Sequence, residues 1–378
     1  MGSVLTSVFI FLAILSLVVV IHELGHLLAA KFFGVLVEEF GLGLPPRAMR
    51  FFKKGDTEYT LNWLPLGGFV RLYGENGEIS AEVPDKRAFW AKPVWQRAII
   101  VLAGVIMNFL LGTVLFGAVY TYLGIPTPTD KVIISGMEQG SPADQAGFSL
   151  GDQLVLVSLD DDSQAITSSE SAVDWLYGHQ GEAVIVTVSR AGQERELTVK
   201  LREDPDHQKG VLGVVLDDTQ LIHYPLWQMP FRGIWFGFKE AEAWGKEILT
   251  SMGQLLSSLL IGQVPEGLAG PVGIYNISKA AAKEGWLVTF KFVGVLSVNL
   301  AILNVLPIPA LDGGRLVFLA IEAVTRRRVA RALENWVNSI GMIILLAFMA
   351  FITINDLANL GVGEKLLQFI GSIGNRLK

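Results

Sequence analysis

Long uncharged stretches dominate the pattern of hydrophobic and polar positions along this chain. Four of them run for roughly 18 residues or more, about the length that an α-helix needs to cross the hydrocarbon core of a bilayer. They are Val4 to Ile21, Ala98 to Leu123, Phe292 to Leu311 and Asn335 to Asn355. The pattern predicts four transmembrane helices. A cleaved signal peptide is the alternative for the first stretch, which lacks the basic start and the small-x-small cleavage site of such a peptide.

Shorter periodic patterns lie between these stretches. Residues 57–63 have strand composition and are followed by Pro65-Leu66-Gly67-Gly68, which predicts a β-hairpin or a looped sheet close to the membrane. A cytoplasmic hairpin with structural duties only is the alternative. Apolar residues recur at helical spacing from Phe231 to Leu259, which predicts an amphipathic helix lying against the membrane surface. Pro271 is expected to open a further short helix.

The middle of the chain has the pattern of a globular module. Short β-rich runs, such as residues 131–134 and 183–188, alternate with turn residues and one helical stretch near Ser171 to Gly178. We therefore expect a mainly α membrane protein that carries one α+β domain. The predicted division is an N-terminal membrane part over residues 1–125, the module over 126–225, and amphipathic helices with the C-terminal membrane part over 226–378.

Composition indicates a membrane protein, and the distribution of charge predicts its orientation in the membrane. Hydrophobic residues make up 51% of the chain and charged residues 17%, which is too apolar for an ordinary soluble enzyme. Lys and Arg concentrate between the first two predicted spans and between the last two, so both connections are expected to be cytoplasmic. The first connection carries Lys31, Arg47, Arg50, Lys53, Lys54, Arg71, Lys86, Arg87, Lys92 and Arg97, and the other carries Arg326, Arg327, Arg328 and Arg331.

The middle module is acidic instead, with Asp160, Asp161, Asp162, Glu203, Asp204 and Asp206. It is therefore expected to be extracytoplasmic, and four spans then place both termini on its side of the membrane. The net charge of −6 gives no electrostatic footprint for nucleic acid. The chain contains no cysteine, which excludes disulfides and thiolate metal sites.

The strongest chemical signal is His22-Glu23-Leu24-Gly25-His26 at the end of the first span. Positions i and i+4 share one face of an α-helix, so His22 and His26 can hold one Zn²⁺ ion while Glu23 acts as general base. Ionisable residues at the end of an apolar span are energetically costly, and metal coordination would offset that cost. The alternatives are a proton relay in a transporter and interfacial histidines without metal.

Zinc requires a third protein ligand and an open position for water. The other histidines, His179, His207 and His223, lie in or beside the extracytoplasmic module, so a carboxylate is expected. Asp312 follows 20 uncharged residues, and Pro307 and Pro309 break the helix before it. Asp312 is thus the candidate third ligand. The alternative is that it caps the helix that follows.

The two motifs together resemble those of the site-2 protease family. These motifs are His22-Glu23-x-x-His26 and Asn304-x-x-Pro307-x-Pro309-x-Leu311-Asp312-Gly313. The resemblance extends over nearly the whole chain, and the order of the spans and the PDZ-like insert resembles that of the bacterial regulator-of-sigma-E protease group. It implies that His22, His26 and Asp312 bind zinc, that Glu23 is the catalytic base, and that Asn304 positions substrate. Gly104 and Asn108 match a Gly-x-x-x-Asn pattern of the second span in this family, so Asn108 is a further candidate for substrate binding.

Two other segments carry a resemblance. Residues 140–154 are similar to the signature of PDZ domains in bacterial proteases, which implies that the module binds extended peptides at an exposed strand edge. The alternative is a domain that only shields the site. The turn at Phe40-Gly41-Leu42-Gly43 and the hairpin over residues 57–71 resemble membrane-associated β-elements of the family, which are proposed to hold substrate as an extended strand. Gly67, Gly68 and Phe69 are therefore candidate substrate-binding residues.

The sequence thus predicts an intramembrane zinc metalloprotease of the bacterial cytoplasmic membrane, with its active site near the cytoplasmic face. The family implies single-span membrane proteins as substrates, such as anti-sigma factors or remnant signal peptides, and no nucleic-acid partner. Two other classes stay open. A catalytically inactive scaffold bearing a PDZ-like domain would not need Glu23, and an ion-coupled transporter would show paired broken helices, whereas only the third span looks broken.

Overall fold

The computed structural model describes residues 2–75, 85–160, 162–203, 210–260 and 270–359. The predicted extracytoplasmic C-terminal end, Asp161, Asp204, Asp206 and His207 lie outside these residues. The described helices are α1 Gly2–Phe32, α2 Val94–Leu123, α3 Pro142–Ala146, α4 Ser169–Gly178, α5 Met229–Leu260, α6 Pro271–Glu284, α7 Trp286–Val305, α8 Asp312–Thr325 and α9 Arg331–Asn359. The strands are β1 Val37–Lys54, β2 Thr57–Leu72, β3 Ile125–Met137, β4 Gln153–Leu159, β5 Asp162–Ala165, β6 Ala183–Arg190, β7 Gln193–Lys200 and β8 Val214–Ile222.

Four of the described helices are long and apolar enough to cross a membrane. These candidate spans are Leu5–Phe32, Val94–Leu123, Trp286–Val305 and Arg331–Asp356. The prediction of four spans is confirmed at this level. The third candidate span, α7, begins and ends about six residues earlier than the uncharged stretch that predicted it. The backbone turns extended at Leu306, because a residue before proline avoids the helical region and neither Pro307 nor Pro309 can continue the hydrogen-bond ladder.

The predicted hairpin is present as β1 and β2, which are longer than the sequence suggested. Residues 39–42 pair with residues 68–71 on one side and with residues 58–61 on the other. Residues 47–54 then pair with residues 57–62, so both strands fold back on themselves. A small sheet is formed in which the turn at Gly55 joins β1 to β2.

Buried Glu39 holds the segments of this sheet together. Its carboxylate accepts a hydrogen bond of 2.7 Å from Thr60 and forms ion pairs with Arg47 at 2.8 Å and with Arg71. These partners come from different parts of β1 and β2. The carboxylate is therefore fully engaged although it lies in the interior, as a buried charge must be.

One prediction about this region is wrong. The Phe40-Gly41-Leu42-Gly43 segment was expected to be a turn and lies within β1. The reason is steric, because a Cβ on Gly41 would lie 2.4 Å from the ring of Phe69 on the paired segment. Glycine is thus required there by the close approach of a neighbouring side chain and not by a reversal of the chain.

The chain divides into two compact units. One comprises the described residues up to Val119 and from Pro230 onward, and the other comprises Tyr120–Met229. The three functional segments proposed from the sequence stay a prediction.

The Tyr120–Met229 unit contains a six-stranded sheet with the order β7-β6-β4-β3-β8, and β5 pairs with β4. Alternating residues of β6 and one face of α4 form its core, including Val184, Val186 and Leu176. Ser141 caps α3, and Gly147 ends that helix in the left-handed region. Arg190 hydrogen-bonds the buried carboxylate of Asp152 and holds its pKa below the usual range.

Helix α5 is present where apolar periodicity predicted it, and it packs along α2. A Cβ on Gly237 would lie 2.4 Å from the backbone nitrogen of Gly117 and 2.4 Å from the carbonyl oxygen of Thr113. The ring of the next residue, Phe238, meets that of Phe109 edge-on, with 5.7 Å between centroids. Part of the apolar face assigned to the membrane surface therefore contacts α2, one of the candidate membrane spans.

Candidate metal centre

Helix α1 brings His22 and His26 together one turn apart on the same face. Their Nε2 atoms are 3.1 Å apart, and the two rings meet edge-on at an interplanar angle of 85°. His22 is buried, with 6% of its surface exposed. Two nitrogen ligands thus point into one small volume inside the protein.

Asp312 completes this cluster from a segment 290 residues away. Its Oδ2 lies 3.0 Å from Nε2 of His22 and 3.3 Å from Nε2 of His26. The residue begins α8, but Leu311 is the N-cap of that helix, and no side chain caps it. The carboxylate therefore faces the histidines, and the alternative role as a helix cap is not what the structure has.

The three donor atoms fit a tetrahedral zinc ion. Bonds of about 2.0–2.1 Å at tetrahedral angles separate neighbouring ligand atoms by about 3.3 Å. The observed separations of 3.0, 3.1 and 3.3 Å match that spacing. Among the described residues, His22, His26 and Asp312 are the group of acidic and histidine side chains whose donor atoms converge closely enough to hold a metal. Two nitrogens and one oxygen leave a fourth position open.

Groups on the far side of the two rings bear on which nitrogen faces the cluster, and for His26 a hydrogen bond decides it. Nδ1 of His26 lies 2.8 Å from the carbonyl oxygen of Ile100, and a carbonyl only accepts, so Nδ1 carries the proton and Nε2 offers its lone pair. The amide of Asn108 lies 3.5 Å from Nδ1 of His22. Its buried Oδ1 has no partner within the described part of the chain. A half-turn of this amide would place Oδ1 to accept from Nδ1 of His22.

Helix α2 approaches the candidate metal ligands at Gly104. A Cβ there would lie 2.6 Å from Nε2 of His26 and 2.8 Å from Nε2 of His22. Both separations are shorter than real Cβ contacts, so a larger residue would push the imidazoles or the helices apart. Gly104 and Asn108 lie one turn apart on α2, and both are next to His22. Their spacing in the sequence thus corresponds to a shared contact with the ligands.

A cavity of about 220 Å³ opens beside the cluster. It is lined by all three metal-ligand candidates together with Glu23 and Phe69. Gly68 lies close to Glu23, since a Cβ at this glycine would be 3.4 Å from Cγ of Glu23. The structure thus brings the proposed base and the hairpin to the same place.

The remaining candidates lie elsewhere around the centre. Nδ2 of Asn304 is 3.5 Å from Nε2 of His22. Asn304 and Asn108 are buried, and neither they nor Gly67 and Gly68 line the cavity. Substrate binding by these four residues and by Phe69 stays a prediction.

Two cavity residues were missed by the sequence reasoning. Glu75 follows β2, and Arg315 lies on α8, and the two form an ion pair. Glu75 raises the pKa of the Arg315 guanidinium, and Asp312 adds to this effect. The available signal was the position of Arg315 three residues after Asp312, which places both side chains on one helix face.

The chain is similar to bacterial zinc metalloproteases over nearly its whole length. The sequence profile of Peptidase family M50 matches residues 10–348. Zinc metalloprotease RasP of Geobacillus kaustophilus (strain HTA426) is 31% identical, with 94% of this chain and 99% of that protein covered. Zinc metalloprotease RasP of Shouchella clausii (strain KSM-K16) is 28% identical, with 93% and 98% covered.

The chain also matches a solved structure, the PDZ domain of an SdrC-like protein from Listeria monocytogenes. The match covers 25% of this chain and 95% of the solved chain. Its sequence identity is 21% and its TM-score is 0.20.

The profile match spans both motifs that supply the candidate metal centre, and the two relatives are named zinc metalloproteases. Coverage of almost the whole of those proteins means that the match is not confined to one shared module. The chain therefore belongs to peptidase family M50, the site-2 protease family, and is a zinc metalloprotease.

Proposed function

We propose that this metalloprotease hydrolyses single-span membrane proteins within or beside the bilayer. The observation that carries the proposal is the location of the centre. His22, Glu23 and His26 belong to α1, whose residues Leu5–Phe32 are long and apolar enough to cross a membrane. A substrate that reaches these residues must itself enter this apolar environment, which an apolar transmembrane segment does readily.

Catalysis depends on a proton acceptor beside the metal site. Bound zinc supplies Lewis acidity, which polarises a carbonyl group and lowers the pKa of water. The Glu23 carboxylate lines the same cavity as the ligand candidates and accepts the proton of the attacking water. It then delivers that proton to the leaving amine. An inactive scaffold would need no acid at this position, so the location of Glu23 favours the enzyme.

A helical substrate must unwind before attack, because its carbonyl groups are hydrogen-bonded within the helix. We propose that residues 68–72 pair with the unwound stretch. They pair with β1 on one side only, and among the described residues no strand lies on their other edge. Gly68 lies near Glu23, so a strand added here would pass close to the base. Substrates that contain Gly or other helix-weakening residues are expected to be preferred.

The Tyr120–Met229 unit is proposed to bind extended peptides. A groove of about 340 Å³ lies between α4 and the edge strand β8. Its lining is mainly apolar and includes Val173, Leu176, Val214 and Leu216. An exposed strand edge beside an apolar groove is the arrangement that peptide binding by strand addition requires. This unit would select or filter substrates, as the PDZ-like sequence signature implies.

We further propose that the protein resides in the bacterial cytoplasmic membrane with its Lys- and Arg-rich connections inside. The exposed arginines that follow α8 and the exposed lysines at the end of β1 support this orientation. The acidic Tyr120–Met229 unit would then be extracytoplasmic. Anti-sigma factors and remnant signal peptides are the substrate classes that the family suggests.

The test is cleavage of a tagged single-span reporter by purified protein in detergent, with bound zinc measured on the same samples. Glu23→Gln is expected to lose cleavage and retain zinc, since it removes the proton acceptor and no ligand. Glu194→Gln, at an exposed position of β7, is the matched control and should cleave like the wild type. Mass spectrometry of the products locates the cut. Cleavage outside the apolar segment and its borders would contradict the intramembrane proposal.

A further inference from the structure

We propose that Arg315 is a further catalytic residue, which hydrogen-bonds the scissile carbonyl oxygen as negative charge develops on it. The inference deepens the function proposed above and rests on it. Arg315 lines the cavity that also contains Glu23 and Asp312. It lies three residues after Asp312 on the first turn of α8, so the metal-ligand candidate and the guanidinium project from one face of one helix.

The ion pair with Glu75 fixes the direction of the Arg315 side chain. Nη1 of Arg315 donates to Oε1 of Glu75, and both residues line the cavity. A guanidinium has five N–H donors in a rigid fork. In the described part of the chain this pair is the one hydrogen bond that the guanidinium makes. Because 42% of the side chain is exposed, donors remain that can reach a substrate in the cavity.

The charges around the cavity show why such a donor is needed. Its lining contains three carboxylates, those of Glu23, Glu75 and Asp312, which would repel a developing oxyanion. Arg315 is the one lysine or arginine among the described lining residues. A fixed donor aimed at the position where charge develops is worth more in such a partly buried site than in water.

The two asparagines next to the candidate ligands are buried beside His22, with Nδ2 of Asn304 3.5 Å from Nε2 and Nδ2 of Asn108 3.5 Å from Nδ1. Asn108 is fully buried, with 0% of its surface exposed, and its amide lies beside Nδ1 of His22. Asn304 is 8% exposed and contacts the same ring. Neither lines the cavity. Among the described residues that line the cavity, Arg315 is therefore the side-chain N–H donor other than the two candidate ligand histidines.

Hydrolysis of the scissile bond needs no reactant other than water. The water oxygen bonds to the carbonyl carbon, and the electron pair of the C=O π bond moves to the carbonyl oxygen, where Arg315 donates a hydrogen bond. The water proton passes to Glu23. When the carbonyl re-forms, the C–N bond breaks and Glu23 returns the proton to the amine nitrogen. Arg315 keeps its proton throughout, as expected for a group of such high pKa.

The first experiment compares Arg315→Gln and Arg315→Lys with the wild type on the single-span reporter. Arg315→Gln is expected to lower kcat by about 100-fold or more with little change in KM, since the interaction is made in the transition state. Arg315→Lys should fall between the two, because a lysine keeps the charge and loses the fork. Zinc content and reporter binding, measured by photo-crosslinking, should stay at the wild-type level in both variants.

Arg328→Gln is the matched control for loss of a positive charge. This arginine lies over the ring of Trp90 and lines a neighbouring cavity, not the one beside the metal centre. Its variant is expected to retain kcat. An equal loss in Arg328→Gln and Arg315→Gln would assign the effect to the overall charge and overturn the inference.

A double variant separates catalysis from a structural ion pair. If Arg315 only neutralises Glu75, the lower kcat of Arg315→Gln is caused by the unpaired carboxylate of Glu75. Adding Glu75→Gln in the same chain should then restore kcat. If Arg315 acts on the substrate, the double variant stays as slow as Arg315→Gln. Restoration, or a change confined to KM, overturns the inference.

The same measurements distinguish rejection of the proposed function from rejection of this inference. If the wild type does not cleave the reporter, or if Glu23→Gln cleaves it, the site proposed above is wrong. If the wild type cleaves, Glu23→Gln does not, and Arg315→Gln remains fully active, only the role of Arg315 is rejected.

Discussion

Asn108 illustrates how one buried amide can set the chemistry of a metal ligand. For Nε2 of His22 to bind zinc, Nδ1 must carry the proton, and that proton needs an acceptor. Oδ1 of Asn108 is buried and without a partner among the described residues, while the amide lies 3.5 Å from Nδ1 of His22. A half-turn of the amide would meet both needs with one hydrogen bond, from Nδ1 of His22 to Oδ1 of Asn108.

We expect Asn108→Ala to weaken zinc binding by about 10- to 100-fold, the usual effect of losing an outer partner of a ligating histidine. Asn108→Asp should retain most of the affinity, because a carboxylate oxygen also accepts from Nδ1. Competition with a chromophoric chelator measures both values. Tighter binding in Asn108→Ala than in Asn108→Asp would mean that the amide donates to His22 and that the assigned tautomer is wrong.

The sequence could predict those parts of the metal centre that depend on the type and spacing of residues, and not those that depend on backbone atoms or distant contacts. The spacing of His22 and His26 on an apolar helix, and an acid after two prolines, were enough to indicate three ligands that the structure brings together. The carbonyl of Ile100 could not be predicted, since a backbone atom leaves no trace in residue identity. The partnership of Arg315 with Glu75 depends on a contact across 240 positions, which no local pattern encodes.

At the scale of elements, glycines decide how closely helices α2 and α5 pack. Gly237 brings α5 against the backbone of α2 at Thr113 and Gly117. Small residues allow such close contacts between helices in membranes, where packing and not water drives association. The pattern of apolar residues predicted the helix, but it could not tell whether lipid or another helix covers its apolar face, since both are equally apolar.

We expect Gly237→Ala to push α5 from α2 and to destabilise the protein by about 1–3 kcal/mol, the usual cost of overpacking. The new methyl group would meet backbone atoms, which cannot move aside as a side chain can. Thermal unfolding in detergent should show a lower midpoint, and peptides from α2 should exchange amide hydrogens faster.

Gly253→Ala provides the control within the same helix. A Cβ there meets nothing within 4 Å, so this variant should be unchanged or slightly more stable, because alanine favours helix. Equal effects of the two substitutions would show that the contact between α2 and α5 does not contribute to stability.

Across the whole molecule, the sequence was most informative about the spans and least about the strands. Four apolar stretches predicted four long helices, because bilayer thickness imposes a length that composition alone reveals. The hairpin was underestimated, since Gly41 and Gly43 are usual turn residues and yet lie inside β1. Orientation is a different kind of inference, because it depends on the distribution of charge between the two sides and not on any contact within the protein.

The absence of cysteine from the chain allows a direct test of this orientation. A single cysteine can be introduced at Gln193, the first residue of β7, at Lys54, at the end of β1, or at Arg327, after α8, and all three positions are exposed. In intact spheroplasts a membrane-impermeant maleimide should label Gln193→Cys, and it should label Lys54→Cys and Arg327→Cys only after lysis. Retained cleavage of the reporter confirms that each variant is folded. The reverse pattern would place the metal centre towards the outer face, and substrates would then have to be cut near their extracytoplasmic ends.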